Sequence, residues 1–477
     1  MSEHAPAHLK APAARARDPW EVAAVVAVVL SCVLHVWLSL TVGPGVSWHD
    51  IGTLADIAEG GINEGHFGYI QYLLTYKQLP DFDPSTVWSY YNPPLYHIVC
   101  AVLIGLCMAV TGWAFVDCLH IATLVSCACV CATVVICWRM LRRIRAINGP
   151  VRLVIICLVA FHPTMSWLSF TGTNDAMAMM LAVLACERTL AWWELGPVPT
   201  DAEERRLWWR RCMAVIVQIA LALGLGMAAK VSAVLVAPGI AIVFLARAGE
   251  ALRARTWRSL VVPFVVFLAV SVPIGLAYPV HNLLAWDLPL TYVQYDDDMD
   301  AIGEDASLWS RLGIPSADDF ESLVLYESDI DCEDNVWAQA LKTSLFDEYY
   351  VSEEGAAAVA KRVLLVLGGL LALALAALGA YGCTSRDVPG ALRAALAANV
   401  ATILVFYANF CLTYLAECTM NFRYIVAAFP LLAVLAAVGA SKLMGRHGWG
   451  RHVVAALGAL VAAFSALGAG LYLLCLF

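Results

Sequence analysis

Charge is scarce in this chain. Asp, Glu, Lys and Arg make up 14% of its 477 residues and hydrophobic side chains 61%, against about 25% and 45–50% in soluble domains. So little charge cannot furnish an ordinary water-facing surface, which excludes the soluble globular class. Basic residues are almost missing from the longest polar stretch. From Asp287 to Glu354 nineteen acidic residues accompany only Arg311 and Lys342. The net charge of −9 therefore averages two opposite surfaces and points to no nucleic-acid partner. A glycine- or serine-rich linker and an internal repeat are also absent, so nothing divides the apolar body into modules. The first apolar run, Glu21 to Val42, closes in Gly-Pro-Gly-Val without a small-x-small cleavage site, which predicts an uncleaved anchor. Cysteine is plentiful, at sixteen, but most (Cys127, Cys129, Cys131, Cys157) lie inside apolar runs, where the thiol is a small hydrophobe. Cys332 stands alone in its loop. No disulfide scaffold and no cysteine-ligated metal are expected.

What is present is a succession of apolar runs of about 20 residues, each able to cross a ~30 Å hydrocarbon core as a helix. They fall at 21–42, 117–138, 151–168, 175–193, 212–229, 231–246, 259–280, 360–382, 391–414, 424–444 and 453–476. A twelfth run, Pro93 to Gly112, is decided by charge. Residues 139–152 hold Arg139, Arg142, Arg143, Arg145 and Arg152 with no acid, and 247–258 hold four arginines against Glu250. Short basic loops stay on the cytoplasmic side of a bilayer. If 93–112 crossed, the arginine-rich loop would lie outside and the acidic stretch inside. If it lies at the outer interface or re-enters, every short connection obeys the rule. The expectation is an all-α polytopic membrane protein with eleven spans, N-terminus cytoplasmic and C-terminus outside. A cytoplasmic tail (1–20) precedes a transmembrane module (21–280) that carries a large first outer loop with interfacial helices (43–116). An acidic outer loop or small cap (281–359) and the C-terminal helices (360–477) follow. Residues 281–359 show no sustained helical or strand period.

Polar groups at membrane depth are costly and are the default functional candidates. Ser47-Trp48-His49-Asp50 follows the first span, then Glu64-Gly65-His66-Phe67-Gly68-Tyr69 and Tyr90-Tyr91-Asn92-Pro93-Pro94-Leu95-Tyr96-His97. Later come Thr171-Gly172-Thr173-Asn174-Asp175, Lys230 at a hairpin tip, and Asn421-Phe422-Arg423-Tyr424 opening a span. All fall on the outer side, although the spans were assigned from charge alone. Each has a bland alternative: Asp175 as part of a helix start, Lys230 as a snorkelling lysine, Arg423 as an interface anchor, Asp50 as a solvated acid. The Asp296-Asp297-Asp298 run reads as a solvated charge run. Glu203 to Arg211, with Trp208 and Trp209, reads as membrane-surface anchoring.

In this layout the chain resembles the GT-C superfamily of multi-span glycosyltransferases, which includes protein O-mannosyltransferases and aminoarabinose transferases and takes sugar from a polyprenyl-phosphate carrier. The resemblance covers nearly the whole chain in layout, with specific motifs only in short stretches. Glu64 with His66 and Tyr69 matches the family's acidic segment in the first outer loop, with Asn63 where the first acid of a pair would be. Asp50 is a second candidate. Pro93 to Tyr96 matches the family's Pro-Pro-Leu-Tyr element, with Asn92 before it, and Asp175 matches the acid of the second outer loop. The resemblance implies a carboxylate base, Asp50 or Glu64, that deprotonates an acceptor hydroxyl. It implies positive charge on the departing phosphate, from Lys230, Arg423 and a divalent ion held partly by Asp175. His49, His66, Tyr69, Asn92, Asn174, Asn421 and Tyr424 are implied substrate contacts. One base and no covalent intermediate give inversion at the anomeric carbon, by analogy with glycosidases. The implied partners are the bilayer, a polyprenyl-phosphate sugar and a glycan, lipid or protein acceptor. A transporter, with charged or broken helices at the midplane, and a non-catalytic envelope assembly protein are the rival classes.

Overall fold

The computed structural model describes residues 18–46, 54–59, 61–295, 306–320, 334–348, 355–446 and 448–474. His49, Asp50, Cys332 and the Asp296-Asp297-Asp298 run lie outside these residues. The described chain is helical and contains no β-strand. In order the helices are α1 (Pro19–Thr41), α2 (Leu54–Glu59), α3 (Gly65–Tyr76), α4 (Leu95–Thr111), α5 (His120–Arg143), α6 (Gly149–Ala160), α7 (Pro163–Phe170), α8 (Asp175–Glu194) and α9 (Ala202–Ala229). They continue with α10 (Ala237–Arg253), α11 (Arg258–Trp286), α12 (Leu308–Leu312), α13 (Val336–Phe346), α14 (Gly355–Cys383), α15 (Gly390–Thr413), α16 (Ala428–Arg446) and α17 (Gly450–Leu474). Among the described residues ten helices are long and apolar enough to cross a membrane, and eleven if the bent pair α6 and α7 is one span. That pair turns by 42°, where Pro163 lacks an amide proton and His162 takes extended backbone and caps Thr164. The surface is apolar where helices face outward: α11 exposes Val261, Val265, Leu268 and Val272, which marks lipid as the surrounding solvent. Helices approach closely through small residues. A Cβ on Gly439 of α16 would fall 1.9 Å from the Leu378 carbonyl oxygen of α14.

Polar contacts sort the helix ends into two groups. At one end Glu21 pairs with Arg142 (2.9 Å) and Arg152 (3.0 Å). Fully buried Glu187 meets Arg143 at 2.8 Å and Arg139 at 3.3 Å. Arg247 donates to the Trp193 carbonyl at 2.7 Å. The connections rich in arginine therefore meet at a single end. At the opposite end Ser39 bonds Thr123 (3.2 Å) and Asn174 reaches Asn92 (3.3 Å) and the Ala229 carbonyl (2.9 Å).

Both ends of α4 belong to this second group. Its first turn meets α5 through the Tyr96 hydroxyl, 3.0 Å from the Ala122 carbonyl and 3.1 Å from Ser126. Near its last turn Cys107 Sγ lies 3.6 Å from Cys118 Sγ, just before α5. The far end of α5 is the one that meets Glu21 and Glu187. The hydrogen-bonded and sulfur contacts of α4 reach Ala122, Ser126 and Cys118, at or before the first two turns of α5. Its outward stripe of Ile98, Val102, Leu106 and Val110 is apolar, as suits an interfacial helix.

The acidic stretch holds a helix that its sequence did not announce. In α13 Val336, Ala338, Ala340, Lys342, Thr343, Leu345 and Phe346 are all buried. A short helix buried on every side carries no apolar stripe and so leaves no 3.6-residue period to read. Around it, Asn335 caps Trp337 and Ala338 at 3.0 Å. Glu203 to Arg211, expected as a surface anchor, forms the first turns of α9. There Trp208 is buried, with its indole N–H on the Gly196 carbonyl at 3.3 Å.

Candidate functional site

Asp175 opens α8 at the second end of the bundle and is 3% exposed. Asn174, the residue at the cap position, makes no side-chain cap hydrogen bond, and its side-chain N–H groups donate across the chain to Asn92 and the Ala229 carbonyl. A mere helix start therefore does not account for the Thr173-Asn174-Asp175 run. One Asp175 oxygen takes a 2.5 Å ion pair from Lys230 Nζ, and the other is buried without a hydrogen-bond partner among the described residues. Lys230 is extended backbone between α9 and the 3-10 turn Val231–Val236, so the chain ends one helix and restarts the next around this ammonium group.

Arg423 does not begin a long helix. It sits in a 3-10 turn, Phe422–Tyr424, four residues before α16. Asn421 holds that turn by accepting from the Arg423 amide at 2.8 Å. The Asn421 side-chain amide donates to Asp347 (3.3 Å) and Glu348 (2.9 Å), the residues that follow α13. Thr343 of α13 accepts from the Phe422 amide at 2.9 Å. Tyr424 then joins the cations: Lys230 Nζ lies 4.9 Å and the Arg423 guanidinium carbon 5.1 Å from its ring centre, and Arg423 donates to the Tyr424 hydroxyl at 3.1 Å.

A cavity of about 270 Å³ opens beside Lys230, Tyr424 and Asn92, and its walls are Val231, Leu235, Leu290, Val293, Ile403 and Phe406 together with their neighbours. The cavity is thus an apolar pocket with a lysine and a tyrosine at one end. Its walls come from the 3-10 turn Val231–Val236, α11, the segment after α11 and α15, and no local spacing in the sequence announced them. Asp347, Glu348 and α13 were missed for the same reason.

The segment between α1 and α5 contributes a second cluster. His66 Nδ1 and His97 Nε2 are 2.8 Å apart, and both rings are buried. Tyr69 stacks between His97 (4.4 Å) and Tyr90 (4.6 Å). Burial, with the His66 charge beside it, holds the His97 imidazole well below its ordinary value. His66 is also an electrostatic neighbour of Asp175, so α3 and α4 bring the histidine pair to the ion pair. Glu64 stands apart. It occupies the cap position of α3, makes no capping bond and is exposed. The structure therefore assembles His66, Asn92, Asn174, Asp175, Lys230, Asn421, Arg423 and Tyr424, and packs Tyr69 behind the histidines. His49 and Asp50 lie outside the described residues.

Among the described residues no group of three or more His, Cys, Asp or Glu could hold a metal ion. The unpartnered Asp175 oxygen is one ligand, whereas hard divalent ions take about six oxygens. The described side chains do not by themselves fit the expected divalent ion.

No protein-family model matches the sequence and no curated protein matches it. Solved structures do. ArnT from Cupriavidus metallidurans bound to undecaprenyl phosphate aligns with a TM-score of 0.50 at 16% identity over 94% of this chain and 64% of its own. The Archaeoglobus fulgidus oligosaccharyltransferase AglB, in complex with an inhibitory peptide and a dolichol-phosphate, aligns at 0.52 with 13% identity over 94% of this chain and 56% of its own. The same enzyme tethered to an acceptor peptide aligns at 0.52 over 96% and 55%. The chain spans less than two thirds of each. The chain shares its fold with these solved structures.

Proposed function

We propose that this protein is an integral-membrane glycosyltransferase that moves a sugar from a polyprenyl-phosphate donor to an acceptor on the extracytoplasmic face. The observation that carries the reading is the apolar cavity with Lys230 and Tyr424 at one end and Arg423 beside them. A prenyl chain fits apolar walls, and a phosphate fits an ammonium and a guanidinium at membrane depth. The GT-C fold supports it, since its two solved neighbours hold undecaprenyl phosphate and dolichol-phosphate. The arginine-rich end is the cytoplasmic one by the positive-inside rule, which puts the cavity and Asp175 outside.

In this mechanism the donor slides in from the bilayer and its phosphate meets Lys230 and Arg423. As the glycosidic C–O bond breaks, negative charge grows on that phosphate, and the cations stabilise it more in the transition state than in the ground state. A carboxylate takes the proton of the acceptor hydroxyl as that oxygen attacks the anomeric carbon from the opposite face, with inversion. We assign that role to Asp50, with exposed Glu64, beside Tyr90, as the second candidate. Asp175 orients Lys230, and His97 orients His66. Lipid analysis of a deletion strain tests the reading: a polyprenyl-phosphate sugar should accumulate and vanish on complementation. An unchanged lipid profile, with loss of an unrelated transported solute, would replace it with the transporter class.

A further inference from the structure

The Cys107 and Cys118 sulfurs lie 3.6 Å apart on two different elements, the last turns of α4 and the turn before α5. A disulfide needs ~2.05 Å, so the two sulfurs must close a gap of about 1.5 Å from their 3.6 Å separation. The pair lies at the end of the bundle that carries Asp175, at the interface, with Cys107 partly exposed and Cys118 buried beneath it. Cys107 is followed by Thr111, whose hydroxyl bonds the Cys107 carbonyl at 2.8 Å, and by Gly112 with φ +74°, which ends α4. A fixed helix end therefore presents one thiol to the other.

We propose that Cys107 and Cys118 form a redox pair whose disulfide staples the far end of α4 to the start of α5. Its formation in the cell rests on the orientation above, which places this end in the compartment where disulfides persist. The chemistry is thiol–disulfide exchange with a small disulfide or an oxidoreductase as oxidant. The accessible Cys107 thiolate attacks the oxidant's S–S bond, forming a mixed disulfide and releasing one thiolate. The Cys118 thiolate then attacks Cys107 Sγ and releases the second. Two protein thiols are oxidised, the oxidant is reduced to two thiols, and the protons end on those products. The other end of α4 is already tied to α5 through Tyr96, so the staple fixes the helix that carries His97 at both ends.

The test uses the full chain purified in detergent, incubated with oxidised glutathione or with reductant, then denatured, alkylated and mapped by mass spectrometry. The expected product is a peptide joining Cys107 to Cys118, lighter by two hydrogens than the reduced pair. It should be absent after reduction and absent from Cys107→Ser and Cys118→Ser. Deuterium uptake across 108–117 should slow in the oxidised wild type and stay unchanged in either variant. Two fully alkylated cysteines, or a persistent glutathione adduct on Cys107, in protein that keeps its melting temperature would overturn the proposal. Neither readout uses sugar transfer, so failure of the catalytic reading and failure of this one are separable.

Discussion

At the scale of single residues, the Lys230–Asp175 pair separates folding from chemistry. Both side chains are largely buried, at 18% and 4% exposure, and removing one partner of a buried pair leaves the other charge unpaired at a cost on the order of 3 kcal/mol. Lys230→Met should lower the melting temperature, and adding Asp175→Asn should recover most of that loss. Sugar transfer should stay abolished in both, as followed by product formation from a lipid-linked donor. Recovery of turnover with recovery of stability would make the pair purely structural. Arg423 calls for a subtler change. A guanidinium fork holds two phosphate oxygens where lysine presents one compact charge, so Arg423→Lys should reduce kcat roughly tenfold or more, the size of one or two charge-assisted hydrogen bonds. Donor KM should change less. Wild-type kinetics would leave Arg423 as an interface anchor. For the base, Asp50→Asn should cost ~10²-fold in turnover with normal expression, while Glu64→Gln, on an exposed side chain, should stay within about threefold of wild type by the same reasoning. The opposite ranking would move the base to Glu64.

Elements divide by how much of their environment is lipid. Spans such as α1 and α11 were legible because a helix in hydrocarbon must be apolar on its outward face as well as its inward one, and about 20 such residues in a row have few other uses. The 3-10 turns at Val231–Val236 and Phe422–Tyr424 were read as helix, since apolar composition does not distinguish them. α13 was illegible because burial on all sides erases the period. The candidate residues at element ends were legible one by one as polar groups at membrane depth. Their grouping was not, because Lys230, Asp175, Arg423 and His66 are joined by contacts across long stretches of chain. The placement of α4 yields a direct check. With the native reactive cysteines replaced, Arg145→Cys should resist an impermeant thiol reagent in intact cells. Thr86→Cys and Thr111→Cys, both exposed and lying before and after α4, should both label. Labelling of only one of these two would mean that α4 crosses.

The whole molecule is a bundle with one end tied by arginine–carboxylate pairs and the other built around a cavity. The buried Glu187 cluster belongs to the first end, and its loss should act on stability alone. Glu187→Ala removes the buried carboxylate that Arg139, Arg143 and Arg188 share, leaving Arg143 with Glu194 alone, and should cost about 3 kcal/mol, with donor binding unchanged in the fraction that folds. The central claim is that the apolar cavity and its cationic end hold a polyprenyl phosphate. Binding of undecaprenyl phosphate to the purified protein, set against the uncharged alcohol of the same chain length, measures it most directly. The account predicts that the phosphate binds at least about tenfold more tightly, the worth of a charge-assisted contact, and that Arg423→Ala combined with Lys230→Met and Asp175→Asn reduces it to the affinity of the alcohol. Equal affinities for phosphate and alcohol in the wild type would contradict it.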